Sequence, residues 1–139
     1  MIQLTTEPID IAAVTEAVRS PHAGAVCVFF GTVRDLTGEQ STAFLNYEAY
    51  APMAEQQMAA IAEEIWQRWP VLGLRMIHRL GRLAVGEISV AVAVSCPHRA
   101  EAFAACQYGI DTLKERVAIW KQEIAPDGKA VWIHPETRQ

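Results

Sequence analysis

The sequence predicts a single α+β domain: a mixed or largely antiparallel sheet packed with about three helices, plus a C-terminal β-hairpin. Three observations carry that prediction. GAVCVFFGTV (24–33) and ISVAVAVS (88–95) are continuously apolar and rich in β-branched residues, as buried strands are. Three other segments repeat apolar residues at helical spacing. Strands come in runs with few helices between them, in the order βαβ-βαβ-β-αββ, which separates α from β rather than alternating them. The 139 residues suit one domain, 1–139, with a real core.

Along the chain, residues 2–6 read as a short strand. Pro8 to Arg19 reads as a helix, with Ile11, Val14 and Val18 on one side. Residues 24–33 follow as a buried central strand. DLTGEQS (35–41) is polar, contains Gly38 and is expected to form a mobile loop of the kind that carries or covers a site. TAFLNYEAY (42–50) alternates as a strand. Pro52 opens a helix whose apolar side is Met53, Met58, Ile61, Ile65 and Trp69, with Pro70 after its end. RMIHRL (75–80) is a short strand, in which His78 reads as a strand residue with a satisfied ring, and 88–95 is a second apolar strand. SCPHRAEAF turns into a long helix over 99–117, striped by Ala102, Cys106, Gly109, Leu113 and Val117. Ile119 to Trp132 reads as a hairpin around PDGK (126–129).

Composition excludes several classes. With 51% apolar and 20% charged residues the chain is globular rather than disordered. A net charge of −4 argues against a nucleic-acid backbone as partner, so any basic patch is local and suits a small anion. Cys27, Cys96 and Cys106 are odd in number and lack C-x-x-C spacing, which points to reduced thiols in a cytoplasmic protein. Cys96 and His98 lack a second close pair of ligands, so no metal is expected. MIQLTTEPID shows no signal peptide, and no apolar run approaches the ~20 residues of a membrane span.

The cationic residues fall into groups. His98 and Arg99 stand where an apolar strand hands over to a helix; they either pair with a carboxylate such as Glu101 or hold an anionic ligand at the helix start. Arg34 ends the first apolar run and either pairs with Asp35 or faces a ligand. Lys114 lies at the edge of the helical stripe, where it either snorkels to solvent or serves a site. Lys121 shares one strand face with Ile119 and Glu123, a face that is either solvated or functional. If these groups converge, mutual repulsion makes a lysine a usable base or nucleophile.

FFGTVR (29–34), MIHRLGRLAVGE (76–87), SCPHRAEAF (95–103) and LKERVAIWKQE (113–123) occur in this order. With these motifs the chain resembles the large, catalytic subunits of molybdopterin synthase over about residues 3–133. The most specific parts are HR-x-x-AF at 98–103 and LKERVAIWKQE. The resemblance implies an α/β hammerhead fold with an added antiparallel sheet and no cofactor. It implies a sulfurtransferase: a homodimer at the centre of a heterotetramer, with a small ubiquitin-like sulfur-carrier subunit at each end. The carrier's C-terminal Gly-Gly thiocarboxylate enters a pocket and passes sulfur to cyclic pyranopterin monophosphate, giving the dithiolene of molybdopterin.

Carried over by residue, the resemblance makes Lys114 the essential lysine and Lys121 the second active-site lysine. It makes His98 and Arg99 the grip on the substrate phosphate, with Arg34 beside them. Thr32, Val33, Gln122 and Glu123 match flanking pocket positions. The chain departs from the family in two places. Ala118 stands where many members have proline, which is expected to loosen the bend before the last hairpin. The C-terminal arginine with which many members reach a neighbouring subunit has His134 or Arg138 as its counterpart here. Two rival readings are a non-catalytic module that binds a ubiquitin-like tail and an unrelated phosphate-ester enzyme on the same scaffold.

Overall fold

A computed structural model describes residues 1–37 and 39–133. In chain order its elements are β1 (Ile2–Thr5), α1 (Ile11–Val18), β2 (Ala25–Thr32), β3 (Leu36–Thr37), β4 (Gln40–Ser41), β5 (Phe44–Ala49) and α2 (Ala51–Arg68). Then follow β6 (Gly73–Arg79), β7 (Gly81–Ala84), β8 (Ile88–Cys96), α3 (Arg99–Arg116), β9 (Ile119–Ile124) and β10 (Ala130–Ile133). One sheet has the order β1-β6-β8-β2, with β1 and β6 parallel and its other pairs antiparallel. The second, β10-β9-β5-β7, is antiparallel throughout. The α+β class with a mixed sheet, three helices among the described residues and a C-terminal hairpin is what the sequence predicts.

The first sheet is covered on both faces. Met76, Val90, Val92, Val94 and Cys96 pack against α2 and α3, whose Met58, Ile61, Ile65, Ala105 and Leu113 complete the main core. Ile77, Ala91 and Ala93 face the other way, onto Val14 and Val18 of α1. The side chains alternate along β8 because strand period is two. Burying each large side chain such as Met58 or Ile65 contributes roughly 1.5–3 kcal/mol. Gly73 has no room for a side chain: a Cβ there would sit 2.6 Å from the Val18 carbonyl oxygen.

Several boundaries differ from expectation, each for a local reason. α1 starts at Ile11, not Pro8, because the Asp10 carboxylate accepts from the Ala13 N–H at 3.1 Å and caps the helix there. The stretch 35–41 carries the two-strand ribbon β3–β4 rather than only a loop; Gly38 lies outside the described residues. GRLA forms a strand that the sequence does not announce, bracketed by Gly81 and Gly86, each with φ of 90°. That backbone region suits glycine and lets the chain leave one sheet for the other.

The largest correction concerns β2. Its apolar run predicts a central strand, but β8 is central and β2 lies at the sheet edge. Val26, Phe29 and Phe30 are consequently exposed, at 41%, 38% and 45%. An eight-residue apolar edge with no neighbouring strand among the described residues is an open template for pairing.

Candidate active site

The two lysines are brought together by the turn from α3 into β9. Leu113 is buried in the core, and Lys114 follows it at the rim of the helix's last turn, where a cation is favoured. The helix ends as the Val117 N–H bonds the Leu113 carbonyl at 3.1 Å. The next N–H, that of Ala118, donates to Gln57 Oε1 of α2 at 2.7 Å. Proline could not make that bond; here Gln57 pins the bend at Ala118.

β9 then alternates. Ile119 and Glu123 are buried at 4% and 6%, and half-buried Lys121 lies on the same face between them. The alternative of a solvated face is thereby excluded. Tyr47 of β5 is the direct cross-strand partner of Lys121, and its ring meets the His78 ring of β6 edge-on at 4.9 Å. Tyr47, His78, Ser89, Leu113, Lys114 and Lys121 all line one narrow pocket, with room of about 30 Å³ for the centre of a water-sized group. Tyr47 and Ser89 were not expected there, and His78 was expected only as a strand residue.

The other expected residues divide by position. Thr32 and Arg34 are exposed at the end of β2, where the Val33 N–H bonds the Glu87 carbonyl at 3.0 Å. Thr32 pairs with Ile88, next to pocket-lining Ser89, so Arg34 shares the pocket's end of the sheet. Val33 is buried with Leu45 and Leu83 and serves to position its neighbours. Gln122 projects to the face opposite Lys121, while Glu123 is buried beneath it. His98 and Arg99 are exposed at the far end of α3. Fifteen residues separate Arg99 from Lys114, about 22 Å along a helix. One chain therefore does not bring them to the lysines. No ion pair joins Arg99 to Glu101 or Arg34 to Asp35 among the described residues. His134 and Arg138 fall outside the described residues.

Two ionic clamps lie on elements that carry pocket residues. Arg79 Nη1 pairs with Glu87 Oε2 at 3.1 Å while Glu87 Oε1 accepts from the Ala84 N–H at 2.7 Å. The Ala84 N–H, then Arg79, hold the Glu87 carboxyl below its usual range. Arg116 grips both Glu64 oxygens at 2.8 Å, and the Tyr108 hydroxyl donates to Glu64 as well. Arg116 first, then Tyr108, lower the Glu64 carboxyl to about 2. This clamp joins α2 to α3 beside the helix end that presents Lys114. Cys96 and Cys106 are buried, and burial pushes the Cys106 thiol up to about 12, so it is no nucleophile.

The family model described as "MoaE protein" matches residues 4–116. The molybdopterin synthase catalytic subunit of Halalkalibacterium halodurans is 46% identical over 127 residues, covering 91% of this chain and 81% of that protein. Its counterpart from Staphylococcus carnosus is 47% identical over 131 residues, covering 94% and 87%. The chain belongs to the MoaE family, the catalytic subunits of molybdopterin synthase. It is thus an enzyme subunit of molybdenum cofactor biosynthesis. The crystal structure of molybdopterin synthase from Staphylococcus aureus superposes with a TM-score of 0.88 at 42% identity, covering 94% of this chain and 95% of that one. A complex of subunits 1 and 2 of molybdopterin-converting factor from Helicobacter pylori shares the fold, with a TM-score of 0.78 at 21% identity over 94% and 88%. Among the described residues of the MoaE chain, no helix is long and apolar enough to cross a membrane.

Proposed function

We propose that the Lys114–Lys121 pocket is where sulfur passes from a carrier thiocarboxylate to cyclic pyranopterin monophosphate. The observation that carries this is the opening of both lysines into one narrow pocket. A narrow pocket of this kind admits the slender end of an extended Gly-Gly tail beside the lysines. Both reactants are anions that repel each other, and two ammonium groups offset that repulsion where the reacting atoms meet. Lys114 acts as general acid/base or acyl acceptor, and Lys121 stabilises the developing negative charge. The carrier is a separate small ubiquitin-like subunit; that the Helicobacter pylori protein of this fold was solved with a second subunit supports it. The work is done in the cytoplasm, as the reduced thiols suggest.

The phosphate grip is shared between two copies of the chain. β2 is an exposed apolar edge, and two such edges pair antiparallel about a two-fold axis. Ala25 of β2 lies beside Cys96, near His98 and Arg99, whereas Thr32 lies beside Ile88, at the pocket end. Antiparallel pairing sets one copy's Ala25 end against the other's Thr32 end. It would bring His98 and Arg99 of one protomer toward Arg34 and the lysines of its partner. The homodimer thereby completes a cationic site that each chain holds only in halves, and carriers enter at its two outer ends.

Reconstitution tests the reading. The chain is mixed with a thiocarboxylated carrier and the cyclic pterin, and dithiolene product is measured. Product that depends on the carrier supports sulfur transfer. Carrier binding without product would leave a tail-binding module, and turnover of the pterin without carrier would leave a phosphate-ester enzyme.

A further inference from the structure

We propose that His78 is a positioning residue of this pocket, whose Nε2 accepts from a lysine ammonium and fixes where that charge points. The proposal rests on the sulfur-transfer reading, since it concerns the same pocket. His78 is 4% exposed in β6, and its Nδ1 lies 2.8 Å from the Arg79 carbonyl oxygen. A carbonyl only accepts, so Nδ1 carries the hydrogen, and in the neutral ring Nε2 holds the lone pair. The carbonyl is itself well placed, because Arg79 is tied to Glu87 and the following Leu80 N–H bonds the Thr5 carbonyl at 2.7 Å.

The groups that share the pocket with the ring come from four other elements: Tyr47 of β5, Ser89 of β8, Lys114 of α3 and Lys121 of β9. Tyr47 touches the His78 ring and is the cross-strand partner of Lys121, so the imidazole and that lysine border the same tyrosine in one pocket. An ammonium has three donors and no acceptor. A lone-pair nitrogen on a rigid strand is its complement. A lysine stem has four rotatable carbons and loses that freedom on being held. An acceptor already fixed by the sheet orients the charge before substrate arrives.

Two substitutions separate this role from a structural one. His78→Gln places an acceptor near the Nε2 position, and His78→Asn keeps only a group near Nδ1 that can still bond the Arg79 carbonyl. In the reconstituted assay we expect Gln to stay within about threefold of the parent and Asn to lose about 10- to 100-fold in kcat. KM for the pterin and carrier binding change little in both. A structural role through Arg79 predicts the reverse order. Equal activity of the two variants, at any level, overturns the proposal. A second measurement needs no His78 variant: ¹⁵N NMR of the imidazole in the full chain. The expected result is Nδ1–H, with an Nε2 resonance that moves on Lys114→Met or Lys121→Met. A hydrogen found on Nε2, or an Nε2 indifferent to both lysines, contradicts it. If the parent protein makes no product with a competent carrier, the sulfur-transfer reading fails, and the NMR result still decides on His78.

Discussion

Lys114 and Lys121 stand on different elements, the last turn of α3 and the middle of β9, yet they open into one pocket. What joins them is the bend at Val117–Ala118, and what holds the bend is a side chain from a third element.

That side chain is Gln57. Its Oε1 accepts the Ala118 N–H at 2.7 Å. Gln57→Ala leaves this half-buried donor without its partner, which costs about 1 kcal/mol. We expect urea unfolding to show that loss, and product formation to fall by more than the loss of stability explains. Unchanged stability and turnover would remove Gln57 from the account.

The exposed edge of β2 predicts a dimer that one charge disrupts. Phe30 is 45% exposed on that edge. Phe30→Glu places like charges across the two-fold axis. Light scattering after gel filtration should give one copy per particle for the variant and two for the parent. A dimeric variant would place the interface elsewhere.

The proposed sharing of the site between copies predicts complementation. Arg99→Ala and Lys114→Ala homodimers should each be nearly inactive. Co-expressed in equal amounts, they form mixed dimers in which one of the two sites has both residues intact. Random pairing then restores about one quarter of the parent's activity. No recovery would place Arg99 and Lys114 of the same chain in one site, or Arg99 in none.

How much of this was legible beforehand differs by residue. The helical stripe on α3, the hairpin and the β8 core strand follow from local periodicity, because burial on those elements is decided by neighbours close in sequence. β2 and β8 are alike in composition, so nothing local shows that only β8 is flanked on both sides. The alternation around Lys121 groups it with Ile119 and Glu123, but pairing with β5 decides that this face turns inward. Tyr47 and His78 reach the pocket through contacts between distant segments, and neither carries a local signal. His98 and Arg99 stand out by their place at the helix start and by the HR-x-x-AF motif, while their distance from Lys114 is a property of helix length that neither signal mentions.

Glu64 makes the tie between α2 and α3 sensitive to acid. Its carboxyl is lowered to about 2 by Arg116 and Tyr108, from an ordinary 4.5 in the unfolded chain. The clamp therefore contributes fully above about pH 4.5 and is lost as pH falls through about 2. Thermal unfolding followed from pH 5 to 2 should decline less steeply for Glu64→Gln, which is less stable at pH 5. Parallel curves would mean that the clamp contributes nothing measurable.

The central claim is that the pocket lysines do chemistry rather than hold a surface soluble. Lys114→Ala tests it most directly, with carrier binding and molybdopterin formation measured on the same preparation. We expect carrier binding to persist while product formation falls by at least about 100-fold. Near-normal turnover by a folded Lys114→Ala protein would contradict the account.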